Sequence, residues 1–351
     1  MQSTYPQKIT LLRLSAIGDV LMLLPAMRLL KKYYPTTQID WLIDRPIASL
    51  LSELTEVTII PIDKPRTIAD YWRLKKQWQG ENTGQLISFQ TSLRSNILTA
   101  LLPAEHKTGF GQPYAREGHQ LVINTAYPLP EKKHQVEIFY TLAQKFIGLD
   151  SAVTIPKNDL SLPLNDTDIN WAQQQLSTHE HWVAINPMAS TQEKTWSTEN
   201  YIALINEVQK SYPEKHIVLT GGPSENEIKL GNEIQANINH PCLNLIAQTT
   251  LSQLASVLKQ VELLISPDTG PLHLANAVST QVIGLYAVTR LEYVGPYHQL
   301  AHCISVFNQT SQTVMNQSAK QLGWQKKISS LTAMNLITVD HVLNKMKELN
   351  V

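Results

Sequence analysis

Two aspartates stand where apolar, strand-like runs give way to helix-like runs. Asp19 follows LLRLSAIG and precedes VLMLLPAMRLLKKYY; Asp268 closes VELLISP and is followed by Thr269, Gly270 and Pro271. A carboxylate at a helix start is favoured by the helix dipole and by unpaired backbone N–H groups. Asp19 therefore reads in two ways, as a cap or as a base presented at the carboxyl end of a first strand. At the second aspartate, the ordered set Asp268-Thr269-Gly270-Pro271-x-His273 adds a helix start with free N–H groups, a ready seat for a phosphate or diphosphate. Pro271 suits the first helical position. An ordinary cap is the plainer reading of Asp268 alone. The whole set suits a sugar nucleotide, with Asp268 on sugar hydroxyls and the turn on phosphates.

Other residues could complete such a site. INPMASTQEKTWSTENY places Ser190, Thr191 and Lys194 in a strand-to-helix loop, where hydroxyls and an ammonium can neutralise a diphosphate. Alone it would read as a solvated loop. VLTGGPSENE offers Gly221-Gly222, which let a backbone approach a ligand closely, and Glu225, suited either to ribose hydroxyls or to a first helical turn. In the first half, Gln90, Arg94 and Ser95 follow a strand, Arg116, Glu117 and His119 share a loop, and Lys132, Lys133 and His134 precede a helix. Each group could be plain surface charge. As receivers of an anionic acceptor, Arg94 and Arg116 lead, because arginine grips phosphate and carboxylate bidentately.

The elements that must position these residues alternate. Strand-like runs at 9–14, 38–44, 55–63, 85–90 and 106–111 are interleaved with helix-like runs at 19–34, 93–102 and 132–148. Residues 150–168, rich in Pro, Asp, Asn and Ser, read as a linker into a helix at 168–176. The second half repeats the theme, with strands at 182–187, 216–222, 242–247, 261–268 and 281–287 between helices at 198–212, 224–237, 250–260 and 270–278. This predicts two parallel-sheet α/β domains, 1–160 and 161–329. A last helix within 330–351 is expected to cross back onto the first domain.

Composition bounds the partners. Lysine plus arginine equals aspartate plus glutamate at 29 each, so no global field argues for nucleic acid. Cys242 and Cys303 are the two cysteines and form no CxxC pair, which disfavours disulfides and zinc and fits a reducing cytoplasmic setting. MQSTYPQKITLLRL lacks the apolar core and cleavage site of a signal peptide, and no apolar run is long enough to span a bilayer. GFGQPY lacks the last glycine of a dinucleotide fingerprint, so a nicotinamide oxidoreductase is disfavoured. Walker, HExxH and GxSxG motifs are absent. DTD at 166–168 resembles a metal-binding DxD but starts a helix, where capping fits better, so no metal site and no cofactor are expected.

RLSAIGDVLMLLPA, NPMASTQEKTW, GGPSE and SPDTGPLHLANA stand in the order found in glycosyltransferase family 9, the heptosyltransferases of the lipopolysaccharide inner core. The chain resembles that family over most of its length. The resemblance implies an α/β GT-B fold, two Rossmann-like domains facing a central cleft, with the acceptor on the first and the ADP-sugar on the second. It implies ADP-L-glycero-D-manno-heptose as donor, Kdo-lipid A as acceptor, and transient association with the cytosolic face of the bacterial inner membrane. LLRLSAIGDV resembles the heptosyltransferases that act on a phosphorylated Kdo.

Position by position, Asp19 matches the family's catalytic base. Ser190, Thr191 and Lys194 match donor-phosphate contacts, with the choice of hydroxyl open. Glu225 matches the ribose contact, Asp268 the heptose contact, and Thr269 and Gly270, with His273 nearby, the diphosphate contacts. Gln90, Arg94, Arg116 and His134 stand on the acceptor side. The rival readings are transfer to a later core heptose, a nucleotide-sugar epimerase, and a binding protein without catalysis.

Overall fold

The computed structural model describes residues 6–150, 152 and 154–351. The first five residues of the amino-terminal stretch, and Ser151 and Val153 of the linker, lie outside the described residues. The chain forms two compact units, Met1–Pro163 and Leu164–Val351.

The first unit runs β1 (Lys8–Leu12), α1 (Ile17–Tyr33), β2 (Gln38–Asp44), the single turn α2 (Arg45–Ala48), β3 (Thr58–Ile62), α3 (Ile68–Gln77), β4 (Gln85–Ser88), α4 (Leu93–Leu101), β5 (His106–Phe110), β6 (Thr125–Tyr127) and α5 (Gln135–Ile147). Its six parallel strands are ordered β3-β2-β1-β4-β5-β6. From β1 the chain winds outward through β2 to β3, then returns to β4 and winds the other way. The strand order therefore reverses between β1 and β4, where Leu12 pairs with both Leu42 and Ser88. Crevices at such reversals, beyond the carboxyl ends of the strands, are where open α/β sheets bind ligands.

The second unit runs α6 (Asp166–Leu176), β7 (Trp182–Ile185), α7 (Thr198–Ser211), β8 (His216–Leu219), α8 (Glu225–Asn237), β9 (Leu243–Asn244), α9 (Leu251–Gln260), β10 (Leu263–Pro267), α10 (Gly270–Ala277), β11 (Gln281–Tyr286), the short α11 (Leu291–Val294), β12 (Ile304–Ser305), α12 (Phe307–Met315) and α13 (Val339–Leu349). Its sheet is ordered β12-β11-β10-β7-β8-β9, again parallel. The reversal falls between β7 and β10, with Ile265 level with Ile185.

Burial on both faces explains the apolar strands: all of β7 and β10 is buried. In the first unit, Leu74 and Trp78 of α3 and Leu98 and Leu102 from α4 and its end share one cluster with Leu12, Leu42 and Leu86, so α3 and α4 cover the same sheet face. α1 is apolar nearly all round because it is almost wholly buried, and its packing against α5 is extensive. Ser, Thr or Asn side chains cap α3, α4, α6, α7, α8, α9 and α13. α1 and α10 open without a cap from their N-cap side chains, Ala16 and Thr269.

Several expectations are corrected here. α3 carries one buried side chain, Leu74, with Trp78 buried just past its end, too few for a helical period to stand out in the sequence. The last helix begins at Val339, and its contacts lie within the second unit: it packs on α7, β11 and β12, and Val342 and Met346 join that unit's core. Pro271 is the second helical residue, behind Gly270. No helix among the described residues is long and apolar enough to cross a membrane.

Candidate functional site

In the second unit, two loops leave adjacent strands at the reversal. The loop after β7 carries Ser190, Thr191 and Lys194; the loop after β10 carries Asp268 and Thr269 into α10. Lys194 Nζ lies 2.6 Å from Asp268 Oδ2 and also donates to the Asp268 carbonyl at 3.5 Å. Thr289, just beyond β11, donates its hydroxyl to the same carboxylate oxygen at 2.7 Å. The side chains of Lys194 and Asp268 are only 15% and 9% exposed, so their attraction is little screened. Asp268 Oδ1 has no described partner and stays available as an acceptor.

The loop is braced from below. Thr195 takes the Ala189 N–H and donates to the Thr191 carbonyl, while Trp196 is buried with its indole N–H on the Ile337 carbonyl at 2.9 Å. Ser190 and Thr191 are left exposed, with hydroxyls that bond no described residue. Thr269 shares a 2.9 Å hydrogen bond with Ser266 instead of capping α10, which leaves the first turn of that helix open to an anion. His273 is buried one turn further in. Tyr286, on β11, is fully buried with an unpartnered hydroxyl; burial, helped by the Asp268 charge, pushes its ionisation well above the usual range, so it stays protonated.

Glu225 opens α8, exposed and without a described partner. The glycines before it are less available than their sequence suggests. Gly222 donates its N–H to Glu227 at 2.7 Å, and Ser224 holds the other Glu227 oxygen, so this turn is closed by its own carboxylate. Asp166 and Asp168 sit in the first turn of α6, where Asn165 is the cap, and not in a metal-binding arrangement. Among the described residues no group of His, Cys, Asp and Glu is placed to hold a metal ion.

In the first unit, Asp19 is the third residue of α1, not its cap residue, and its carboxylate turns back to accept the Ala16 N–H at 3.3 Å. It also pairs with Arg13, at the end of β1. The Arg13 guanidinium donates to the Phe89 carbonyl at 2.7 Å, past the end of β4, and lies 5.2 Å from the centre of the Phe139 ring. Arg13 thus spans the strand-order reversal and fixes one side of Asp19, whose side chain is 31% exposed. Sequence reading missed Arg13 and Thr289. Arg13 leaves one signal, a lone cation in the apolar run LLRLS; Thr289 leaves none.

Of the acceptor-side candidates, Gln90, Arg94 and Arg116 gather at the start of α4, where the Asn96 amide donates to the Arg116 and Glu117 carbonyls; His134 stands apart at the start of α5. Gln90 takes the Leu14 N–H at 2.8 Å and reaches Ser92, so it laces the ends of β1 and β4 together and is not free for a ligand. His134 is buried as the cap of α5, its Nδ1 accepting the Val136 N–H at 3.1 Å. Both side chains brace backbone in this structure. Arg94 is exposed on α4, its charge close enough to Tyr71 of α3 to favour the ionised phenol. Arg116 is exposed with an unpaired guanidinium. Glu117 caps the Leu93 N–H. His119 is buried, Nδ1 against Asn96 Oδ1 at 2.8 Å and Nε2 accepting from Phe110 N–H, and burial pulls it down to about 4.

The family model described as "Glycosyltransferase family 9 (heptosyltransferase)" matches residues 71–322. The lipopolysaccharide core heptosyltransferase OpsX of Haemophilus influenzae is 30% identical over 344 residues, 98% of this chain and 97% of that one. Among solved structures, E. coli ADP-heptose lps heptosyltransferase II superposes with a TM-score of 0.75 at 21% identity, covering 97% of this chain and 98% of the other. E. coli heptosyltransferase WaaC, solved with ADP, gives 0.73 at 20% identity, covering 97% and 99%. The fold shared with these structures is GT-B.

Proposed function

Since the chain belongs to glycosyltransferase family 9, we propose that it is a lipopolysaccharide heptosyltransferase, moving heptose from ADP-L-glycero-D-manno-heptose to the Kdo of Kdo-lipid A on the cytosolic face of the inner membrane. The observation that carries this reading is the Lys194–Asp268 pair beside the open start of α10, at the strand-order reversal of the second sheet. It joins a cation and anion-binding backbone for a diphosphate to a half-free carboxylate for sugar hydroxyls.

The reading divides the labour. The second unit holds the donor: Lys194, a Ser190 or Thr191 hydroxyl and the Thr269–Gly270 turn on the diphosphate, the free Asp268 oxygen on the heptose, and Glu225 on the ribose. The first unit supplies Asp19 as base, with Arg94 and Arg116 toward the anionic acceptor. The acceptor hydroxyl gives its proton to Asp19. Its oxygen bonds to the anomeric carbon as the bond from that carbon to the diphosphate breaks, and the electron pair leaves with ADP. A single displacement of this kind inverts configuration. A positioned base contributes roughly 10²–10⁴-fold. Lys194 and the helix start stabilise the charge that grows on the departing diphosphate.

The test is ADP release from ADP-heptose with Kdo-lipid A, with and without a Kdo phosphate, and with heptosylated cores as alternative acceptors. Release that requires a Kdo acceptor, with a product heavier by one heptose, supports the reading. Release only with heptosylated cores moves the acceptor to a later sugar. Conversion of donor without acceptor, or ADP binding with no release, replaces transfer by epimerisation or binding alone.

A further inference from the structure

Nine large hydrophobic side chains are exposed among the described residues, and five of them lie between positions 68 and 121 of the first unit. Ile68 and Trp72, 77% and 64% exposed, are one turn apart on α3 and share its outer face. Leu93 and Ile97, 59% and 37% exposed, are likewise one turn apart on α4. The two helices cover one sheet face, and the Arg94 charge on α4 is close enough to Tyr71 of α3 to favour its ionised form. Leu121, 89% exposed, projects from the loop that Asn96 of α4 holds through the Arg116 and Glu117 carbonyls.

Charge completes the pattern. Arg66, Arg73, Lys75, Lys76 and Arg94 are exposed on this layer, and Lys75 lies 5.2 Å from the centre of the Trp72 ring. Of the acids nearby, Asp70 accepts from the backbone of Arg66 and Thr67 and offsets Arg73, Asp63 pairs with Arg45, Glu117 caps Leu93, and Glu81 is exposed past the far end of α3. An apolar face with a tryptophan, rimmed by lysine and arginine, matches the boundary between acyl chains and anionic headgroups. The face also has a direction. α3 and α4 start at the carboxyl ends of β3 and β4, so Ile68 and Leu93 lie toward the sheet end that carries Asp19.

We infer that the outer face of α3 and α4, centred on Ile68, Trp72, Leu93 and Ile97, is an anionic-lipid docking surface that seats the first unit on the membrane holding its acceptor. The inference deepens the proposed function and rests on it for the nature of the acceptor. It is tested on vesicles that contain no acceptor. The wild-type chain should sediment with vesicles of phosphatidylethanolamine and phosphatidylglycerol, weakly with phosphatidylcholine alone, and less as salt is raised. Ile68→Ser/Trp72→Ser and, separately, Lys75→Glu/Lys76→Glu should each lose about tenfold or more in vesicle affinity. Both should melt as the wild type does and turn over an acceptor stripped of its acyl chains at the wild-type rate.

A wild-type chain that ignores anionic vesicles, or variants that sediment as well as it does, overturns the inference. So does a wild-type dimer that Ile68→Ser/Trp72→Ser dissociates without vesicle binding, since the face would then belong to a second copy. If vesicle binding behaves as stated but no acceptor is ever glycosylated, the docking surface stands and the heptosyltransferase reading falls. Turnover of the stripped acceptor without vesicle binding has the opposite meaning.

Discussion

Lys194 and Asp268, 74 residues apart along the chain, meet at 2.6 Å beyond the ends of two strands that are neighbours in the second sheet. With Thr289 on the same oxygen, the pair forms a nearly buried charge cluster whose free carboxylate oxygen and open helix start have no described partner. Under the proposed function, the arrangement ties donor binding to stability.

Lys194→Met should therefore do two things. It should weaken ADP and donor binding, read by calorimetric titration. It should also lower unfolding stability by about 3 kcal/mol, read from urea midpoints, because a buried carboxylate is left without its cation. Lys194→Met/Asp268→Asn should recover much of the stability and none of the affinity. Unchanged ADP affinity in the single variant would remove Lys194 from the phosphate site.

Asp19→Asn should reduce turnover by roughly 10²–10⁴-fold while ADP affinity stays within about twofold of wild type. The amide keeps the shape of the side chain and loses the ability to take a proton. Equal losses in ADP binding and turnover would assign Asp19 to holding the start of α1.

Arg13→Gln should lower kcat by roughly tenfold or more, with ADP affinity again preserved, since Arg13 acts by holding Asp19. Arg13→Lys should restore part of kcat because a cation still reaches the carboxylate, although the bond to Phe89 or the contact with Phe139 is weakened. A wild-type kcat in Arg13→Gln would leave the pair without a positioning role.

His119 makes stability depend on pH. Its folded value lies near 4, below the unfolded value of about 6.5. The unfolded chain therefore binds the proton first as pH falls. The stability is whole above pH 6.5, is lost progressively down to about pH 4, and the loss then levels off at about 3 kcal/mol. Urea midpoints measured across this range should fall more steeply for wild type than for His119→Asn. Parallel curves would show that the ring takes its proton without penalty.

The alternation of strands and helices was legible because buried parallel strands must be apolar and because glycine, proline and hydroxyl caps mark their limits. Asp19, Lys194 and Asp268 stood out as candidates because each sits at a strand-to-helix junction, where the structure places them. What joins them was not legible. The Arg13 bond to Phe89 spans 76 residues and depends on β1 and β4 becoming neighbours, which no local spacing encodes. The sequence shows the polarity of Gln90 and His134 and hides the backbone N–H groups they satisfy. α3 escaped notice because its apolar residues point two ways, Leu74 and Trp78 inward and Ile68 and Trp72 outward. The proposed docking face and the missed helix therefore have one cause.

The hydrogen bond from Trp196 to the Ile337 carbonyl spans 141 residues and sits two positions beyond Lys194. It gives the two halves different schedules during synthesis. The first unit has its whole sequence once residue 163 has emerged, and can fold while translation continues. The Lys194 loop lacks its floor until Ile337 has been made, so the second unit matures late, and a ribosome stalled before that point would display a finished first unit beside an unfinished second one.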